Sequence, residues 1–295
     1  MPAPPPVLSG TKVLDSPLDR ALEMLLAGER DSALRWSAAV IKDDPSIASA
    51  LIITARLLAD AGRSDAATEA FELSVLRAID AGNLPLAVAA AQDLKSLGKD
   101  PGPHLDSIAA AFCMGSERLG DTNAPPPPLH SGDDLAPLSS VLTGPALLSK
   151  VTEIVHEAKR VYADAWNLQD PLIAPLALFS SLSQEGLRAL IGSFTMKTVA
   201  AGEVVIEEGS EGSEAYIVAR GELEVRKRAD NVDDPDVTMA RLTGGALFGE
   251  MALLARAPRY ASVVACRPSV LLVADRADQH QFGDGEAGGA AVVLA

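Results

Sequence analysis

The stretch Phe248-Gly249-Glu250-Met251-Ala252-Leu253-Leu254, followed by Pro258-Arg259-Tyr260-Ala261-Ser262, decides how the chain is read. It sets a carboxylate and a guanidinium nine residues apart. The apolar run Met251 to Leu254 between them is long enough for about one helical turn. Gly249 lets the backbone approach a ligand closely. The first free N–H groups of a short helix favour negative charge. Arg259 offers a planar fork of donors suited to a phosphate. Glu250 is an acceptor suited to a sugar hydroxyl. One ligand carrying a phosphate and an adjacent ribose hydroxyl would satisfy both. The competing reading is a surface ion pair between Glu250 and Arg259, worth at most about 1 kcal/mol.

Outward from this stretch the period is two. Val204 and Ile206, Tyr216 to Val218, Leu223 to Arg226, Val237 to Leu242, Ser262 to Ala265 and Ser269 to Val273 read as short strands, punctuated by Gly209, Gly212 and Gly221. Short strands, regular turns and one internal helical turn predict an antiparallel jelly-roll barrel. A short helix led by Ser183, with Glu185 in its first turn, precedes it. The glycines, the strand pattern and the Phe-Gly-Glu-x-Ala-Leu-Leu and Arg-Tyr-Ala-Ser segments together resemble the cyclic nucleotide-binding domain family. The resemblance covers roughly residues 173–276.

That resemblance implies a ligand site at Gly249, Glu250, Met251, Ala252, Arg259, Tyr260, Ala261 and Ser262. Glu250 would accept the ribose 2′-hydroxyl and Arg259 would pair with the cyclic phosphate. Backbone N–H groups around Ala252 and Tyr260 would complete the cradle, with Ser262 a minor phosphate candidate and Phe248 a core anchor. In the family, Thr or Ser after this arginine often favours cGMP. Tyr260 stands there instead, which favours cAMP with cGMP second. The family also places a helix ahead of the barrel that moves on binding, and residues 145–166 are similar in position. Its stripe of Leu147, Leu148, Val151, Ile154, Val155, Ala158 and Val161 is amphipathic. It is either a relay or a helix that simply packs on the barrel.

From about Pro17 to Gly120 the pattern is helical. Leu18, Ala21, Leu22 and Leu25 share one helical face. Turns at Gly28 and Gly62 lie 34 residues apart, and Ala33 and Ala67 each follow five residues later. A third pair runs from Leu84 to Leu97 and from His104 to Cys113. The 34-residue period resembles tetratricopeptide repeats, although Pro17 and Leu51 sit where that family places Trp. A repeat array implies a surface for a protein partner. The expected division is a Pro-rich leader at 1–15, a helical tetratricopeptide-like domain at 16–120, a Pro-rich linker at 121–142, a connecting helix at 143–172, the barrel at 173–278 and a Gly-rich tail at 279–295. The fold class is therefore α+β multidomain. Pro125 to Pro128 favours an extended spacer.

With 295 residues, 48% of them hydrophobic, two cores can be built. The formal charge of −15 argues against nucleic acid. The barrel region is acidic too, with 11 Lys and Arg against 15 Asp and Glu over residues 173–278. Cys113 and Cys266 form no metal or redox motif, and read as two reduced thiols. The N-terminus lacks the pattern of a signal peptide, and no apolar run reaches the ~18 residues of a membrane span. A cytoplasmic protein without a membrane or nucleic-acid partner is expected.

The four histidines fit no metal spacing. With no catalytic set, a non-enzymatic role and no cofactor are expected. No Arg-Arg-x-Ser-like segment occurs in the linker, so a direct copy of a kinase regulatory subunit is not expected. A helix-turn-helix after the barrel, and with it a one-component transcription factor of the catabolite-activator type, is not expected. The glycines of 279–295 oppose the long helix with which the family lids the base. The alternative function is a structural interaction protein whose barrel has lost its ligand.

Overall fold

The computed structural model describes residues 16–120, 135–164, 171–176, 179–229, 236–250 and 258–275. The leader at 1–15, most of the linker and the tail at 279–295 lie outside the described residues.

Among the described residues six helices come first: α1 (Pro17–Leu26), α2 (Arg30–Asp43), α3 (Ala48–Asp60), α4 (Ser64–Asp80), α5 (Leu84–Ser96) and α6 (Gly102–Phe112). Ser16 caps α1, its hydroxyl accepting from the Asp19 N–H, and Pro17 fills the first helical turn, where a missing N–H costs nothing. Asn83 caps α5 in the same way. Gly28, Gly62, Gly82 and Gly98 all hold positive φ just past helix ends, the conformation that closes a helix with least strain in glycine. Each helix packs on its neighbour in sequence. The alanines flagged by the period, Ala33 and Ala67, are fully buried and let the helices approach closely. In the same core, the Thr54 hydroxyl donates to Ser37 at 2.8 Å.

Helix α7 (Gly144–Asp164) packs chiefly against α2 and α4. His156 and Lys159 reach Glu69 at 3.1 and 3.7 Å, and the Arg77 guanidinium lies 4.6 Å from the Tyr162 ring centroid. The reading of this segment as a helix that simply packs on the barrel thus needs correction. Its apolar stripe is matched by the helical domain. Helix α8 (Gln184–Ser193) follows, capped by the Ser183 hydroxyl, which accepts from Gly186 N–H at 3.1 Å.

Eight strands follow among the described residues: β1 (Thr195–Val199), β2 (Val204–Ile206), β3 (Glu214–Arg220), β4 (Leu223–Lys227), β5 (Val237–Leu242), β6 (Leu247–Phe248), β7 (Ser262–Ala265) and β8 (Ser269–Asp275). They form two antiparallel sheets, ordered β1-β8-β3-β6 and β2-β7-β4-β5. Tyr216 pairs with both Val273 and Phe248. Its ring stacks on Phe248 at 5.1 Å, so Phe248 is a core anchor.

Strands β3 and β8 are covered on both faces. Tyr216, Val218, Leu271 and Val273 face the barrel core. Ile217, Ala219, Val270, Leu272 and Ala274 belong to the core of the helical domain. Such strands read as continuous apolar runs rather than as alternation. Polar ties surround this shared core. Arg56 of α3 pairs with Asp93 of α5 at 2.8 Å and reaches the Thr198 hydroxyl of β1 at 3.3 Å. Gln92 donates to the carbonyls of Ile191 and Gly192 at 3.2 Å. Asp19 of α1, only 2% exposed, lies 2.8 Å from both Arg220 and Arg267. Burial draws the Arg220 guanidinium below its ordinary value, and Asp19 opposes that.

Candidate functional site: a buried arginine between two glycines

Arg259 sits just before β7 and is 7% exposed. Its neighbourhood is assembled from three distant segments. Its own N–H donates to the Ser210 carbonyl at 2.9 Å, and the Gly209 N–H donates back to the Arg259 carbonyl at 2.8 Å. This reciprocal pair pins the turn after β2 to the strand that carries the arginine. The guanidinium donates to the Gly249 carbonyl and to the Glu214 carbonyl, each at 2.8 Å.

Two glycines make room for it. A methyl group on Gly212 would lie 2.6 Å from one terminal nitrogen of Arg259 and 2.9 Å from Nε. One on Gly249 would lie 2.9 Å from the other terminal nitrogen. Gly249 also holds φ +80°, where a side chain is strained. It is therefore required twice, once for its conformation and once for the space.

The charge balance points to an anion. Carbonyl dipoles orient a guanidinium but do not neutralise it, and a buried unpaired charge is costly. Among the described residues no carboxylate ion-pairs with Arg259. The surface ion pair with Glu250 is thus not found. Glu250 is half-buried and follows Gly249 directly, at the first residue of a helical turn.

The remaining predicted positions divide. Met251 and Ala252 lie outside the described residues. Ala261 is buried. Ser262 begins β7, and its hydroxyl accepts from the Glu208 N–H at 3.0 Å, which occupies it in joining two segments of the barrel. Tyr260 is 64% exposed. Its carbonyl accepts from Lys227 at 2.7 Å, and the same ammonium stands 4.2 Å from its ring centroid. Lys227 also pairs with Glu208 at 2.8 Å. The Arg228 N–H and then Lys227 hold the Glu208 carboxyl below its ordinary value. The structure thus brings Gly249 to Arg259, and it adds Gly212 and the Glu214 carbonyl. Neither addition was assigned from sequence. Gly212 lies 47 residues from the arginine it accommodates, and a carbonyl has no residue signature.

Other chemistry is sparse. Among the described residues no group of three His, Cys, Asp or Glu side chains could hold a metal ion. Burial pushes the Cys266 thiol up to about 11, so it is a poor nucleophile at neutral pH. An open cavity of about 820 Å³ lies where α5, α8 and β1 meet, lined by Gln92, Asp93, Arg188 and Met196 among others. None of the Arg259 site residues lines it. Among the described residues no helix is long and apolar enough to cross a membrane.

Comparison with known proteins locates the same region. The family described as cyclic nucleotide-binding domain matches residues 196–284. The match does not reach the helical domain, so the tetratricopeptide resemblance expected there is not supported. A cAMP-dependent protein kinase regulatory subunit of Blastocladiella emersonii is 39% identical over 99 residues, 34% of this chain and 24% of that protein. One from Yarrowia lipolytica is 38% identical over 99 residues, again 24% of that protein. The chain therefore spans about a quarter of the length of these relatives. Among solved structures, a cyclic nucleotide-binding domain from Methylobacillus flagellatus is 26% identical, covering 40% of this chain and 67% of that one with a TM-score of 0.36. The regulatory domain of Toxoplasma gondii PKA with cAMP is 31% identical, covering 38% of this chain and 42% of that one with a TM-score of 0.34. The buried Arg259 and its glycine cradle thus fall within residues 196–284, the stretch that matches the cyclic nucleotide-binding domain family.

Proposed function

We propose that this chain is a non-enzymatic cytoplasmic signalling protein whose barrel binds a cyclic nucleotide, cAMP ahead of cGMP, and whose helical domain engages a protein partner. The observation that carries this reading is Arg259, a buried cation held by two carbonyls with no carboxylate partner among the described residues. A cyclic phosphate supplies the missing charge, and Glu250, nine residues before Arg259 and next to Gly249, would accept a ribose hydroxyl. The similarity to cAMP-dependent kinase regulatory subunits and the tyrosine at 260 favour cAMP. The consecutive helix hairpins of residues 17–112 suit a repeat-like partner surface, and the partner's identity is a matter for co-purification with and without nucleotide.

Calorimetry on the full chain with cAMP and cGMP tests the reading. Binding of cAMP, abolished by Arg259→Ala with the far-UV dichroism unchanged, is the expected result. Unchanged affinity in that variant would sink the assignment. A folded protein that binds neither nucleotide at millimolar concentration would favour the alternative, an interaction protein with a ligand-free barrel. The exposed bulk of Tyr260 beside the site is the observation on that side.

A further inference from the structure

Strand β3 connects the arginine to the helical domain. Its first residue, Glu214, offers its carbonyl to the Arg259 guanidinium. Its last residue, Arg220, donates to the Asp19 carboxylate at 2.8 Å. Every residue between them, Ala215 to Ala219, is buried. Asp19 is bracketed by a second guanidinium, that of Arg267 between β7 and β8. One strand thus has the phosphate-site arginine at one end and the seat of α1 at the other.

This geometry makes the seat two-state. Parting α1 from the barrel strands the Arg220 guanidinium, which is only 10% exposed. An uncompensated buried charge is strongly unfavourable, so partial separation is not a stable compromise. Close packing on both faces of β3 passes a displacement along the strand rather than absorbing it. The seated form also sets where the Glu214 carbonyl lies, and hence how the Arg259 fork is aimed.

We infer that occupancy of Arg259 and seating of α1 are thermodynamically coupled through β3, with Asp19 as a positioning residue for the anion site. The coupling is positive, because the seated form holds the guanidinium ready-aimed. Linkage then requires reciprocity: whatever factor the seat adds to ligand affinity, the ligand adds to the stability of the seat. The inference rests on the reading that Arg259 holds a cyclic phosphate.

The test uses the full chain, with hydrogen exchange of the α1 amides read beside cAMP affinity. Asp19→Asn is expected to weaken cAMP binding about tenfold, within the usual range for coupled sites. Saturating cAMP is expected to slow α1 exchange in the wild type. Without nucleotide, Arg259→Gln is expected to speed it. Arg220→Lys, which keeps the charge but shortens the reach, serves if Asp19→Asn does not fold. Equal cAMP affinity in wild type and in the seat variant, with α1 exchange indifferent to cAMP and to Arg259→Gln, overturns the coupling. If the wild type binds neither cyclic nucleotide and yet Arg259→Gln speeds α1 exchange, the coupling through β3 stands and the ligand reading falls. If the wild type binds cAMP and α1 does not respond, the coupling alone falls.

Discussion

Replacing Gly212 by alanine isolates the cradle from the arginine itself. The backbone at Gly212 does not require glycine, since it has no positive φ. The added methyl would meet Arg259 at 2.6 Å, against the 3.4 Å at which ordinary contact begins. The guanidinium must therefore retreat by roughly 0.8 Å, about the misplacement at which a charge-assisted hydrogen bond loses much of its alignment. Two bonds hold it, to Gly249 and Glu214, and hydrogen bonds to charged groups are worth about 1.5–3 kcal/mol each. Losing the alignment of one of them predicts a 10- to 100-fold loss of cAMP affinity, or about 1.4–2.8 kcal/mol. The melting temperature should move little, because the displaced group is the end of a flexible side chain. Gly244→Ala is the matched control: it also lacks a positive φ, and its methyl would meet nothing within 4 Å. Calorimetry on the three proteins reads the result. Wild-type affinity in Gly212→Ala would refute the cradle, and so would an equal loss in Gly244→Ala.

Gly249→Ala should lose affinity at least as severely and also cost about 1–2 kcal/mol of stability, since a left-handed backbone is added to the clash; chemical denaturation beside calorimetry separates the two effects. The barrel expressed alone from residue 171 should melt well below the full chain or fail to stay soluble. It would expose Ile217, Val270 and Leu272, each worth roughly 1.5–3 kcal/mol when buried, and a soluble fragment melting like the intact protein would contradict the shared core. Asp93 predicts a pH effect. Burial, the larger cause, raises its carboxyl and Arg56 opposes the rise. The native state then holds that proton more tightly than the unfolded state. Its contribution is present below the ordinary value of 3.8 and is lost as pH rises through the higher folded value. Asp93→Asn should remove this slope, so the stability difference between variant and wild type should change across that window and stay level at neutral pH.

Much of the helical domain was legible because its signals are local. Each hairpin closes at a glycine that the structure finds at positive φ, and the apolar faces of α1 to α6 follow the helical period. Six of the eight strands could be read in the same way. Strand β1 could not, because Thr195 to Val199 buries only its last residue and shows no apolar alternation. Strand β6 is two residues long, shorter than any period. Helix α7 was legible as a helix but not by its partner. An amphipathic stripe states that a face is buried and is silent about what buries it. The site divides along the same line. Arg259 and Gly249 announce themselves by type and context. Gly212 and Glu214 contribute space and a carbonyl, and these emerge only when the start of β3 is brought against Arg259, in the segment before β7.

The double coverage of β3 and β8 has a consequence for how such chains can be recombined. A free-standing barrel needs a polar outer face on those strands to stay in solution. Here that face carries Ile217, Ala219, Val270, Leu272 and Ala274, edged by two arginines that pair with the carboxylate of another domain. A barrel taken from a chain without this helical partner would present the wrong surface to α5 and nothing for Asp19 to hold. Exchange of the ligand-binding half therefore means exchanging the outer residues of two strands along with it, and the two halves must change sequence together to remain a pair.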